Sequence, residues 1–119
     1  MPSGREIRCR LLWTLARRHG WGSPVDAETL LRSALASSAQ GRGRELIDDL
    51  RYEPYLDRGP DGYFLYNDPD SQALAALRLR DTCGYSQLQV EATLSRFEQA
   101  GGFDAYDESA LDRTLSEWA

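Results

Sequence analysis

The sequence contains no lysine: all 14 basic residues among its 119 are arginine. It has one histidine, His19, and two cysteines, Cys9 and Cys83, with no C-x-x-C pair. One imidazole and two scattered thiols cannot supply the four ligands of a structural zinc site, so no metal is expected. The two cysteines read as two buried free thiols. No apolar run approaches the ~18 residues that a membrane span needs. Met1-Pro2-Ser3-Gly4-Arg5 runs into an arginine-rich amphipathic stretch without the apolar core of a signal peptide, so a cytoplasmic location is expected. Without lysine, the glycines at 41–44 cannot form a phosphate-binding P-loop. No serine or cysteine stands at a known spacing from His19 for a catalytic triad. The acidic pairs Asp48-Asp49 and Asp104–Glu108 read as solvated surface, not as an acid–base pair in a cleft. No enzyme activity and no cofactor are expected.

What is abundant is acid, alanine and glycine. The 19 acidic residues, the exclusive use of arginine and only two isoleucines suggest a high-GC and salt-adapted source. The net charge of −5 is uneven along the chain. Residues 1–44 carry eight arginines against three acids, a charge of +5. Residues 45–119 carry six arginines against sixteen acids, a charge of −10. A basic front half can present a surface to a polyanion on an otherwise repelling body.

Hydrophobic spacing predicts a helix over Arg5–Gly20, with Ile7, Leu11, Leu12 and Leu15 on one face. Ser23-Pro24-Val25-Asp26 reads as the start of a second helix carrying Leu30, Leu31, Ala34 and Leu35. The small, polar run Ser37–Gly43 reads as a loop, and a third helix is expected over Arg44–Arg51, stopped by Pro54. Gly59-Pro60-Asp61-Gly62 between β-formers predicts a hairpin. Asp68-Pro69 opens a further helix through Leu74, Leu77 and Leu79. Ser86-x-x-Gln89 is a capping box at the head of a helix with Val90, Leu94 and Phe97 on one face, ended by Gly101-Gly102. Asp107 caps a last helix with Leu111, Leu115 and Trp118 at i, i+4 and i+7.

Three helices followed by a hairpin, in that order, make Met1–Asn67 similar to the winged helix-turn-helix family of small archaeal and bacterial-type regulators. The resemblance implies a mainly α fold with one β-hairpin: a winged-helix core over 1–67 with its wing at 54–66. A C-terminal helical extension over 68–119 would pack on that core as one compact domain. It also implies double-stranded DNA as partner and a role in transcription regulation. In that family the N-terminal part of the third helix enters the major groove and the wing meets the flanking backbone. Carried onto this sequence, those positions are Arg42, Arg44 and Arg51, with Arg58 on the wing. Arginine suits guanine edges and phosphate oxygens. Against this, Glu45, Asp48, Asp49 and Glu53 occupy the same region, and carboxylates facing phosphates oppose binding.

A second stretch, Gly84-Tyr85-Ser86 with Val90, Leu94, Phe97 and Gly101-Gly102-Phe103, resembles the turn and recognition helix of winged-helix repressors. It offers Gln87, Gln89, Thr93 and Arg96 as base readers. Asp104-Ala105-Tyr106 is too short for a two-stranded wing, so an ordinary capped helix explains the same pattern. Leu111, Leu115 and Trp118 would form the contact of a homodimer. The alternative is a protein–protein interaction module that uses a winged-helix scaffold without binding nucleic acid.

Overall fold

The computed structural model describes residues 3–18, 22–105 and 118; for residues 95, 96 and 105 it describes the backbone. The first helix, α1 (Gly4–Arg18), buries Ile7, Leu11, Leu12 and Leu15. Glu6 in its first turn and Arg17 and Arg18 in its last complement the helix dipole. Its expected stop at Gly20 lies outside the described residues.

The second helix starts later than the sequence suggests. Val25 exchanges both backbone hydrogen bonds with Tyr63, at 2.9 and 2.8 Å, and the Gly22 N–H reaches the Leu65 carbonyl at 2.8 Å. This short stretch is therefore extended, and Ser23-Pro24 do not open the helix. Asp26 caps α2 (Ala27–Ala34) instead, accepting from the Thr29 N–H at 3.1 Å and its hydroxyl at 2.6 Å.

The expected loop over 37–43 is helix. α3 spans Ser37–Ile47 and continues as a 3-10 turn, Asp48–Tyr52, up to Pro54. Gly43 explains the difference. A Cβ built there would lie 2.5 Å from Leu35 Cδ1 and 2.7 Å from Leu31 Cδ2. The glycine thus lets α3 pack closely on α2, a tertiary gain that offsets its ~1 kcal/mol helix penalty.

β1 (Leu56–Gly59) and β2 (Gly62–Leu65) form the expected hairpin, in the register Leu56↔Leu65 to Gly59↔Gly62. Pro60-Asp61 are the loop, and Gly62 has φ +130°. A Cβ at Gly62 would run into the Val25 carbonyl, so the glycine also admits the extended stretch beside β2.

Asp68 caps α4 (Pro69–Leu77) as expected, with Pro69 in the first turn. The helix widens into a π turn, Arg78–Thr82, and ends before Gly84. The Ser86/Gln89 capping box opens α5 (Gln87–Thr93), with both reciprocal bonds at 3.1 Å. The helix expected from there to Gly101 is broken: Leu94 sits at φ −101°, ψ 78°, and α6 (Ser95–Gln99) follows. The break has a tertiary cause. Gln72 Oε1 of α4 accepts the Phe97 N–H at 2.7 Å, taking a donor that a continuous helix would bond internally. A 3-10 turn, Gly102–Ala105, closes the described run.

The chain is thus mainly helical with one two-stranded hairpin, in the winged-helix-like order of three helices, hairpin and further helices. One hydrophobic core joins the two parts: Leu11, Leu30, Leu31 and Leu65 belong to the same buried cluster as Leu77, Leu79, Leu94 and Phe97. The two cysteines are not free thiols. Cys9 on α1 and Cys83 after the π turn are disulfide-bonded, with Cα atoms 5.6 Å apart. Among the described residues no helix is long and apolar enough to cross a membrane.

Candidate functional site

Within α3 the core takes Ala39, Gly43 and Ile47, which leaves Ser37, Ser38, Gly41, Arg42, Arg44 and Glu45 facing solvent. The hairpin adds Arg58 beside them, and the 3-10 turn adds Arg51. Of the sequence-predicted arginines, Arg51 and Arg58 meet at Asp48, while Arg42 and Arg44 stand earlier on α3. What separates this face from an open basic surface is the acid that the fold places next to Arg44, Arg51 and Arg58.

Arg44 is held by both carboxylate oxygens of Glu28 on α2, at 2.9 Å each. Asp48 serves three partners: Arg58 at 3.0 Å, Arg51 at 3.5 Å and the Tyr63 hydroxyl, which donates at 2.9 Å. Asp49 takes Arg8 of α1 at 3.2 Å. Arg42 alone of the four predicted contacts makes no ion pair with the described residues, and it is exposed.

The titration behaviour follows from these contacts. The Tyr63 hydrogen bond, with Arg51 and Arg58 behind it, holds the Asp48 carboxyl below its ordinary range despite some desolvation. Burial and the Asp48 carboxylate push the Tyr63 hydroxyl up to about 12. The Arg44 contact lowers Glu28 in the same way. Asp48 and Glu28 are therefore ionised near neutrality, and they compensate the arginines they touch.

Glu53 is a correction to the surface reading. It does not face solvent beside the other acids. At 6% exposure it pairs with Arg78, itself 2% exposed, at 3.2 Å and accepts the Trp118 indole N–H at 2.8 Å. The Arg78 guanidinium stacks 4.2 Å over the Trp118 ring and donates to Thr82 Oγ1 at 3.1 Å. Arg5 Nε donates to the Trp118 carbonyl at 3.1 Å. Trp118 is thus engaged inside its own chain and does not offer the dimer contact expected of it. Leu111 and Leu115 lie outside the described residues.

The second candidate helix is on a different part of the molecule. α5 packs on the π turn and α6, whereas α3 packs on α1 and α2. Gln87 and Gln89 are exposed and Thr93 is half-buried. Gln89 Oε1 is committed to the Ser86 N–H, so this side chain cannot use that oxygen to read a base. The Arg96 side chain is outside what is described.

Beside the wing tip, Asp26, Arg58, Asp61 and Tyr63 line an open groove of about 200 Å³. Sequence reasoning missed Glu28 as the partner of Arg44, 16 positions away, and nothing local could have revealed it. Asp48 three residues before Arg51 was a legible helical pair. Exposed Tyr52, at 73%, with the Arg51 guanidinium 4.9 Å from its ring, was not singled out. Comparison with known proteins found no matching family model, no matching curated protein and no matching solved structure.

Proposed function

We propose that this chain is a non-catalytic protein-interaction module on a winged-helix-like scaffold, with α3 and the wing as its contact face. One observation carries the reading: Glu28, Asp48 and Asp49 ion-pair Arg44, Arg51, Arg58 and Arg8. A polyanion would have to displace those carboxylates, and their charge would remain beside the phosphates. A protein partner with its own mixture of charges meets no such opposition. Tyr52 and the arginines are the residue types that dominate protein interfaces.

Exposed Arg42 favours a second reading, a DNA-binding regulator that enters the groove with α3. Fluorescence-anisotropy titration of a mixed duplex at several salt concentrations separates the two. The interaction-module reading expects no salt-steep binding even at low ionic strength. It also expects a protein captured from extract by the wild-type chain to be lost with Arg42→Ala/Arg44→Ala. Tight duplex binding that falls steeply with salt and disappears in the same double variant would replace this reading with the regulator.

A further inference from the structure

Cys9 and Cys83 lie 74 positions apart and are covalently joined. Four residues after Cys9, one helical turn on, Trp13 stacks on Tyr85 with ring centroids 4.1 Å apart and planes 13° from parallel. α1 therefore grips one short turn, residues 83–85, twice: by a bond at Cys83 and by a stacked ring at Tyr85. Each of the turn's three N–H groups bonds back into the preceding helical end: Cys83 to Arg78 at 3.1 Å and also to Arg80, Gly84 to Arg80 at 3.2 Å and Tyr85 to Leu79 at 3.0 Å. Gly84 gives the chain its reversal at φ +81°. Immediately beyond is the capping box that opens α5. The disulfide joins the hairpin-bearing part to the extension, and it does so at the joint between α4 and α5.

The two sulfur-bearing residues differ in access. Cys9 is buried at 7% exposure on the inner face of α1, whereas Cys83 is half-buried. An incoming thiolate reaches the pair from the Cys83 side.

We propose that Cys9–Cys83 is a thiol–disulfide switch, opened by a dithiol reductant, that sets how firmly the 83–85 turn is held on α1. The first thiolate of the reductant attacks Cys83 Sγ, forms a mixed disulfide there and expels Cys9 as a thiolate, which takes up a proton. The second thiol of the reductant, after losing its proton, attacks its own sulfur in the mixed disulfide and expels Cys83. The reductant leaves as a cyclic disulfide, oxidised by two electrons, and the protein carries two thiols. The opening is local: Leu94 and Phe97, beyond the turn, are anchored in the shared core by apolar packing and not by either sulfur. In a reducing compartment the open form dominates, and in an oxidising one the closed form does.

The test uses the full chain in buffers of reduced and oxidised dithiothreitol at graded ratios, with intact mass reporting the two-hydrogen difference between the states. Amide hydrogen exchange is then followed in each state. The expected result is exchange at residues 83–85 faster by about tenfold or more in the reduced form, with α2 and α3 unchanged and full reversal on reoxidation. Tryptophan fluorescence should change with the same midpoint and lose that change in Trp13→Phe. Cys9→Ser/Cys83→Ser should match the reduced form and ignore reductant. The proposal is overturned if the bond does not form in the oxidising buffers, or if residues 83–85 exchange equally in both states. Global unfolding of both the reduced chain and the double variant would also overturn it, since the bond would then be a structural staple.

Discussion

Two polar clusters in this molecule use the same chemistry and do different things. Around Asp48 and Glu28, arginine–carboxylate pairs stand at the surface, with side chains about half exposed. Around Glu53, an arginine–carboxylate pair is almost wholly enclosed and sealed by an indole. Exposed pairs contribute little to stability because water solvates the separated ions nearly as well. A buried pair gains little over an apolar replacement of both partners, yet losing one partner strands a charge. The surface cluster sets the charge that α3 and the wing present, and the inner cluster ties the chain before the hairpin to the extension, alongside the shared core and the disulfide.

The largest effect is expected at Glu53. Glu53→Ala removes the buried carboxylate that Arg78 and the Trp118 indole share and should cost about 3–5 kcal/mol in a denaturant titration. A cost no larger than that of a surface substitution would mean that the inner cluster holds nothing. Next in size is Gly43→Ala, which pushes a methyl group against Leu31 and Leu35 and should cost about 1–3 kcal/mol. Gly41→Ala, two positions earlier on the exposed side where a Cβ meets nothing, should be neutral or mildly stabilising. Equal effects at the two glycines would remove the packing explanation for α3. Smaller still is Glu28→Gln, which frees Arg44 and should leave the unfolding midpoint unchanged while altering the surface charge.

The finest distinction is in pH. Tyr63 is raised in the folded state, so its neutral form is favoured by folding. Its stabilising share is complete below pH 10 and is lost as pH rises through about 12. The absence of lysine makes this window clean, since tyrosines are the main groups that titrate there. Absorbance titration should show late-ionising tyrosines; the one near pH 12 vanishes in Tyr63→Phe, while buried Tyr55 ionises later still and is unaffected. Asp48→Asn should bring Tyr63 down towards its ordinary value, because it removes the carboxylate that accepts from it.

The hairpin and the caps at Asp68 and Ser86 were legible in the sequence because their signals are local: a Pro-Asp-Gly turn, a carboxylate before a proline, a serine three residues before a glutamine. The features that escaped are those in which a distant residue overrides a local preference. Gly43 looked like a loop residue until Leu31 and Leu35 were seen to need its missing Cβ. Val25 looked like part of a helix start until Tyr63 took its backbone bonds. Leu94 lay on a regular helical stripe, and only Gln72, 25 residues before Phe97, explains the break. At the candidate site the arginines could be read from the sequence, but the charge of the surface they form depends on Glu28 and Asp48, whose pairing is a product of the fold. The two thiols, 74 residues apart, carried no sequence sign of being neighbours.

Whether carboxylates keep polyanions away from the α3–wing arginines is decided by duplex-DNA titration of wild type beside Glu28→Gln/Asp48→Asn across a range of salt concentrations. The expected result is negligible binding by wild type and a salt-dependent gain in the double variant, with a log–log slope steeper by about 0.9 for each arginine that gains a phosphate. Wild-type binding that is already tight and salt-steep, unchanged by removing the two carboxylates, would contradict it.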